Sequence, residues 1–240
     1  MIHYVCVATE SKLYFPYLKK LLPELTVLGM GMKWKGFIMK YELLIEYLET
    51  LNDDDIVCFI DAYDVLPTKN IVNLEKQFVN FSKRHTGVKM IVGYDKVYNK
   101  IHEFLEQKVF DTIEGDRINS GQFIGYVKNV KYIVSSILSN TTSFQTDQIE
   151  LTKYIKQNKN CFFIDKERVF FNVITEPLTQ ITNTNTKCSF IHANGNGCLE
   201  YFLLEHHEIV VNPIDTIYNL VDNVVGVYKK IHIYKSYLFK

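Results

Sequence analysis

Apolar and polar positions change period repeatedly along the chain, and the changes mark its elements. Residues 2–8 form an apolar run that predicts a strand, and Thr9-Glu10-Ser11 ends it before a helical stretch over 12–22. A short strand over 25–28 follows. Gly29, Gly31 and Gly36 then break any periodicity, so 29–36 reads as a loop around the chain's single tryptophan, Trp34. Tyr41, Leu44, Ile45 and Leu48 recur at helical spacing within 38–51, and Asn52-Asp53-Asp54-Asp55 stops that helix. Residues 56–60 are continuously apolar, as in a strand buried on both faces. Thr68 suits the cap of a helix through Phe81, and 89–92 predicts the next strand. Strands alternating with helices in this way argue for an α/β fold built on a mostly parallel sheet.

Beyond Gly93 the pattern loosens. An aromatic and charged segment over 94–114 holds one helix, and Asn119-Ser120-Gly121 reads as a turn leading into a strand at Phe123. Helices are expected over 131–138 and 147–154, with Asp147 as a cap, and short strands over 161–164, 169–173 and 189–191. A Thr/Asn-rich loop separates the last two strands over 179–186. No repeat or linker divides the chain, so one domain is expected over 1–240. Two parts are expected within it, over about 1–128 and about 129–240.

Composition narrows the function classes. The 240 residues are 47% hydrophobic and 14% aromatic, enough for a sizeable core. Lysine plus arginine equals aspartate plus glutamate at 27 each, so no global field points to nucleic acid or a membrane surface. Only the end is locally basic, where Lys229, Lys230, Lys235 and Lys240 are interleaved with tyrosines. The odd count of five cysteines, widely spaced in apolar runs, suggests buried free thiols and a cytoplasmic or otherwise reducing compartment. No signal peptide is expected, since no basic stretch followed by a long apolar one stands before the first strand, and no apolar run reaches the roughly 18 residues of a membrane span.

The candidate chemistry begins where the 56–60 strand runs into Asp61-Ala62-Tyr63-Asp64. Ligands of open α/β sheets bind at the carboxyl ends of strands, and a turn there can aim both carboxylates at one cation. The same two acids could instead cap the helix or turn that follows, with Pro67 closing the segment. An aspartate nucleophile of the phosphatase type would place its second acid two positions on, where Tyr63 stands, so that chemistry fits poorly. The tryptophan loop reads either as a packed turn or as a ligand loop. Of seven histidines, His192 is the one at a strand end among small residues, in His192-Ala193-Asn194-Gly195-Asn196-Gly197, a setting that suits ligation.

Six pieces in order carry a resemblance. They are Val7-Ala8-Thr9-Glu10, the loop from Leu28 through Trp34 to Gly36, Phe59-Ile60-Asp61-Ala62-Tyr63-Asp64-Val65, Asn119-Ser120-Gly121, Asp147-Gln148, and His192-Ala193-Asn194-Gly195-Asn196-Gly197. Together, over about 2–197, they resemble the N-terminal glycosyltransferase domain of the procollagen lysyl hydroxylases. The resemblance implies a GT-A-type fold: a Rossmann-like, mostly parallel sheet flanked by helices, with a smaller antiparallel part on the acceptor side. It implies Mn2+ held by Asp61, Asp64 and His192. It also implies transfer of a hexose from a UDP-sugar, UDP-glucose or UDP-galactose, onto hydroxylysine or galactosyl-hydroxylysine of collagen-like chains.

By the same resemblance Tyr63 stacks on uracil, and Thr9, Trp34, Lys40, Asn119, Ser120, Gly121 and Gly195 fall among the donor contacts. Asp95, Asp147 and Asn194 fall on the acceptor side as catalytic candidates. Glucose is the preferred donor. A galactosyltransferase, or a non-catalytic sugar-nucleotide or collagen-binding module of the same fold, is the alternative. Partners would be the UDP-sugar and a collagen-like polypeptide, with no nucleic acid and no membrane span; a homodimer is one assembly that the sequence allows. Two departures touch the sugar pocket. The family's acidic run before Asp-Gln is reduced here to Thr146-Asp147, and a glycine-rich insertion between the tryptophan loop and Lys40 is missing. The family works in the ER lumen, which contrasts with the reducing compartment suggested by the cysteines.

Overall fold

The computed structural model of the chain describes residues 1–97, 112–141, 146–175, 187–194 and 198–211. Its elements are β1 (Ile2–Val7), α1 (Phe15–Leu21), β2 (Thr26–Leu28), α2 (Ile38–Leu48), β3 (Ile56–Ile60), β4 (Val65–Pro67) and a 3₁₀ turn (Lys69–Asn73) leading into α3 (Leu74–Arg84). There follow β5 (Met90–Val97), β6 (Ile118–Tyr126), α4 (Val127–Asn140), α5 (Asp147–Gln157), β7 (Phe162–Asp165), β8 (Phe171–Thr175), β9 (Phe190–His192) and α6 (Glu200–His207).

The strands run in the order β2-β1-β3-β6-β5-β8-β9-β4, with β7 also beside β5. Pairing is parallel for β1 with β2 and β3, for β5 with β7 and β8, and for β8 with β9. It is antiparallel where β6 lies between β3 and β5, and where β4 meets β9. This is the α/β class with a mostly parallel sheet that the strand-helix alternation leads one to expect.

Residue-by-residue alternation explains the continuous apolar strands. Tyr4, Cys6, Cys58 and Ile60 face one core with Phe15 and Leu18 of α1, Phe78 of α3 and Phe202 of α6. Val5, Val7, Val57 and Phe59 face the other, against Leu44 of α2, Val130 and Ile133 of α4, and Ile155 of α5. With helices on both faces, neither set of side chains can be polar. Phe59 and Phe123 are in register on β3 and β6, and their rings stack at 4.9 Å. All five cysteines are free, and burial pushes the thiols of Cys6 and Cys188 up to about 12. Among the described residues no helix is long and apolar enough to cross a membrane.

Several local expectations are corrected. Asp61 and Asp64 cap no helix, because Val65–Pro67 is a strand paired with β9. Asn119-Ser120-Gly121 is no turn but part of β6, where register with β5 shifts between Val92 and Gly93. At that irregularity β5 changes partner, from β7 beside Met90 to Gly93 to β8 beside Asp95 to Val97. Gly93 permits this, since a Cβ there would stand 3.1 Å from Val173 Cγ2 of β8. Residues 94–97 continue β5 rather than starting a helix, and 98–111 lie outside the described residues. So do the 179–186 loop, Gly195 and the basic end. The cap of α5 is Thr146, whose hydroxyl accepts from Ile149 N at 3.2 Å, while Asp147 is the first helical residue.

Candidate active site and metal centre

The topology brings several strand ends to one edge. β1 and β3 run parallel and finish there, antiparallel β6 begins there, and β9 ends there on His192. Asp61 leaves β3 with its N–H donated to Gly121 O of β6 at 2.7 Å. Asp64 enters β4, and its carbonyl accepts from Ala193 N at 2.8 Å, which sets it against the end of β9. Two backbone bonds therefore fix the turn that carries both carboxylates. One ligand atom each from Asp61, Asp64 and His192 lies within 4.8 Å of the others.

These residues fit a divalent cation. His192 is 1% exposed, its Nε2 lies 3.2 Å from Asp64 Oδ1, and among the described residues neither ring nitrogen makes a hydrogen bond. A buried imidazole without such partners costs free energy unless something else engages it. Burial opposes charge on His192, but the carboxylates of Asp64, Asp61 and Asp95 outweigh it and hold the ring's pKa above the ordinary histidine value. The cradle is completed by an absence: a Cβ at Gly121 would stand 2.3 Å from Asp61 Oδ2 and 2.8 Å from His192 Cε1. Only glycine leaves this space open.

Around the three ligands the remaining charges are sorted. Lys40, in the first turn of α2, places Nζ 2.6 Å from Asp61 Oδ1 and 3.0 Å from Asp147 Oδ2. Burial alone would lower the pKa of this ammonium, but Asp147 and Asp61 raise it, so it stays charged. Asp147 gains further from its place at the start of α5, where the helix dipole favours an anion. On the other side Arg117 pairs with Asp95, and Asn194 Nδ2 donates to the same Asp95 Oδ2 at 3.1 Å. Four carboxylates, Asp61, Asp64, Asp95 and Asp147, thus face two cationic side chains, Lys40 and Arg117. The two negative charges left over match a divalent ion.

The β6 entry is held by side chains. Asn119 Oδ1 accepts from Gly121 N at 2.9 Å, Ser120 N donates to Gln148 Oε1 at 2.9 Å, and Gln148 Nε2 donates to Ile118 O at 2.6 Å. This gives the Asp147-Gln148 pair two separate tasks, the acid toward Lys40 and the amide toward β6.

Tyr63, between the two carboxylates in sequence, is half-buried. Its hydroxyl accepts from Thr9 N at 3.1 Å and donates to Glu10 O at 3.3 Å, its ring meets Phe15 edge-on, and Lys12 Nζ stands 5.1 Å from its centroid. Trp34 is 42% exposed and packs edge-on against Phe37, whose ring lies 5.7 Å from Lys40 Nζ. Lys40 and Gly121 therefore touch Asp61 directly, and Asp147 joins them through Lys40. Tyr63, which holds Thr9, lies between the two acids in sequence, and Asn194 joins Asp95 two residues beyond His192. Trp34 is linked to the cluster through Phe37 and Lys40.

Sequence reading missed Arg117 and Lys12. The available signal for Arg117 was its rarity: the chain has three arginines, and this one directly precedes a buried strand, where a planar, permanently charged fork suits a buried carboxylate.

Curated protein sequences give no match. Solved structures similar to part of the chain include the crystal structure of A197 from STIV, at 14% identity and TM-score 0.39, covering 68% of this chain and 80% of that one. Another is the crystal structure of mouse xyloside xylosyltransferase 1 in its apo form, also at 14% identity and TM-score 0.39, covering 64% of this chain and 62% of that one. A family model described as the PLOD GT domain matches residues 2–203, a span that contains every side chain of the cluster. The chain therefore belongs to the PLOD glycosyltransferase-domain family.

Proposed function

We propose that this glycosyltransferase moves a hexose, with glucose preferred, from a UDP-sugar onto galactosyl-hydroxylysine of collagen or a collagen-like chain, and that it requires Mn2+. The observation that carries the reading is the convergence of Asp61, Asp64 and His192 within 4.8 Å, in a chain matched over 2–203 by the family model. Mixed carboxylate and imidazole donors suit manganese better than magnesium. Bound there, the ion would neutralise negative charge developing on the departing diphosphate.

The protein's own groups supply the rest. Tyr63 offers its ring to the uracil, with its hydroxyl anchored on the Thr9-Glu10 backbone. Lys40 stands between Asp61 and Asp147, where its ammonium can meet the diphosphate side of the donor. Asp95, Asp147 and Asn194 orient the acceptor hydroxyl and stabilise positive charge at the anomeric carbon. In a front-face displacement the bond from the anomeric carbon to the UDP oxygen breaks as the acceptor oxygen bonds to the same face. The acceptor proton passes to the departing diphosphate.

The test is UDP release from UDP-glucose and UDP-galactose, with collagen peptides that carry hydroxylysine either bare or already galactosylated. The expected result is glucose transfer to the galactosylated peptide, dependent on Mn2+. Turnover of UDP-galactose on bare hydroxylysine alone would reassign the sugar, and no transfer from either donor would overturn the reading.

A further inference from the structure

Asp95 sits close to the metal cluster without belonging to it. On the sheet Asp95 of β5 pairs with Val173 of β8, and Val173 pairs with His192 of β9. The three form one row, so Asp95 and His192 share a sheet face two strands apart, about 10 Å by ordinary strand spacing. Asn194, two residues beyond His192, spans the gap to Asp95 Oδ2. A third carboxylate on this face would compete for a cation held by Asp61, Asp64 and His192 unless something held it back.

Arg117 is placed to do so. It immediately precedes β6, its carbonyl accepts from Asp95 N at 3.0 Å, and its guanidinium pairs with the Asp95 carboxylate. Both side chains are almost fully buried, at 5% and 1% exposure, which limits screening by solvent. Lys40 holds Asp147 at 3.0 Å while also holding one oxygen of Asp61 at 2.6 Å. Asp95 thus carries a fixed cation of its own, whereas Asp61 keeps Oδ2 toward Gly121 and His192.

We propose that Arg117 is a positioning residue that withholds Asp95 from the metal's ligand set and, through Asn194, presents this carboxylate to the substrate. The inference rests on the metal-dependent transferase reading. Removing the guanidinium without shortening the side chain much, as in R117Q, would release Asp95 toward the cation. Oxygen donors added to such a site tighten its hold on a hard divalent ion.

The experiment is Mn2+ titration followed by electron paramagnetic resonance of the free ion, on wild type, R117K, R117Q and R117Q/D95N, alongside single-turnover transfer. R117Q is expected to bind Mn2+ about tenfold more tightly and to lose turnover at least tenfold. R117K should restore wild-type Mn2+ affinity. R117Q/D95N should return affinity to the wild-type range without restoring turnover, and it also removes the buried acid that R117Q deprives of its guanidinium, a strain on folding. If wild type binds Mn2+ and R117Q binds it equally or more weakly, the proposal is overturned while the metal site stands. If wild type binds no Mn2+, both fall.

Discussion

Lys40 Nζ lies 2.6 Å from Asp61 Oδ1, so one oxygen of a candidate metal ligand is already held by a fixed cation. The other oxygen, Oδ2, faces Gly121 and His192. Lys40 thereby turns Asp61 toward the cluster while also holding Asp147 at 3.0 Å. Substituting Lys40 with Met would leave buried Asp147 and partly buried Asp61 without their cation. Breaking a buried pair in this way costs about 3 kcal/mol. Urea unfolding should show that loss, and saturating Mn2+ should recover part of it by stabilising the native state. An unchanged midpoint with and without Mn2+ would mean that Lys40 carries no such charge balance.

Gly121 supplies a test that changes no ligand. A Cβ there would overlap Asp61 Oδ2 at 2.3 Å, and carboxylate and imidazole would both have to move. Gly121→Ala is expected to keep the circular dichroism of the wild type while weakening Mn2+ binding at least tenfold. Wild-type affinity in this variant would show that the cluster is not the metal's site.

The core between β3 and β6 is accessible to the same logic. Phe123 is 1% exposed and stacks on Phe59 at 4.9 Å. Phe123→Ala should destabilise the protein by ~3–5 kcal/mol through lost burial and the cavity left behind. Chemical denaturation measures this, and a cost under ~1 kcal/mol would mean that the site rearranges freely to fill the gap.

A pH dependence follows from His207 at the end of α6. Its Nε2 lies 2.9 Å from Pro67 O, the last residue of β4. Burial holds the ring's pKa below the ordinary value, against the carbonyl, and His206 and Lys69 lower it further. A histidine with a depressed native pKa contributes stability above its unfolded value of about 6.5 and loses it as pH falls through the native one. The melting temperature should therefore drop more steeply on acidification in wild type than in His207→Gln. Parallel profiles would remove His207 from the acid response.

How much of this was legible in the sequence depended on range. Runs such as Ile56–Ile60 and the helical spacing within Ile38–Leu48 announced themselves, because burial on a sheet or helix face imposes a period on nearby residues. β4 did not, since Val65–Pro67 is three residues long and is a strand only because β9, more than a hundred positions later, pairs with it. The Asn119-Ser120-Gly121 stretch looked like a turn because small polar residues favour turns. It is strand because Gln148 and Asn119 themselves satisfy its backbone. Asp147 could be read as a cap from its neighbours alone, whereas its partner Lys40 lies 107 residues away in sequence. The metal-binding candidates were legible as chemistry, but their convergence depended on the β4 and β9 pairing that local pattern does not reveal.

The central claim is that Asp61, Asp64 and His192 form a site shared by a divalent ion and a diphosphate. Calorimetric titration of UDP into wild type and Asp64→Ala, each with and without Mn2+, tests it most directly. The account predicts that Mn2+ tightens UDP binding to wild type at least tenfold and has no effect on Asp64→Ala. Equal UDP affinity with and without Mn2+ in wild type, or an undiminished Mn2+ effect in Asp64→Ala, would contradict it.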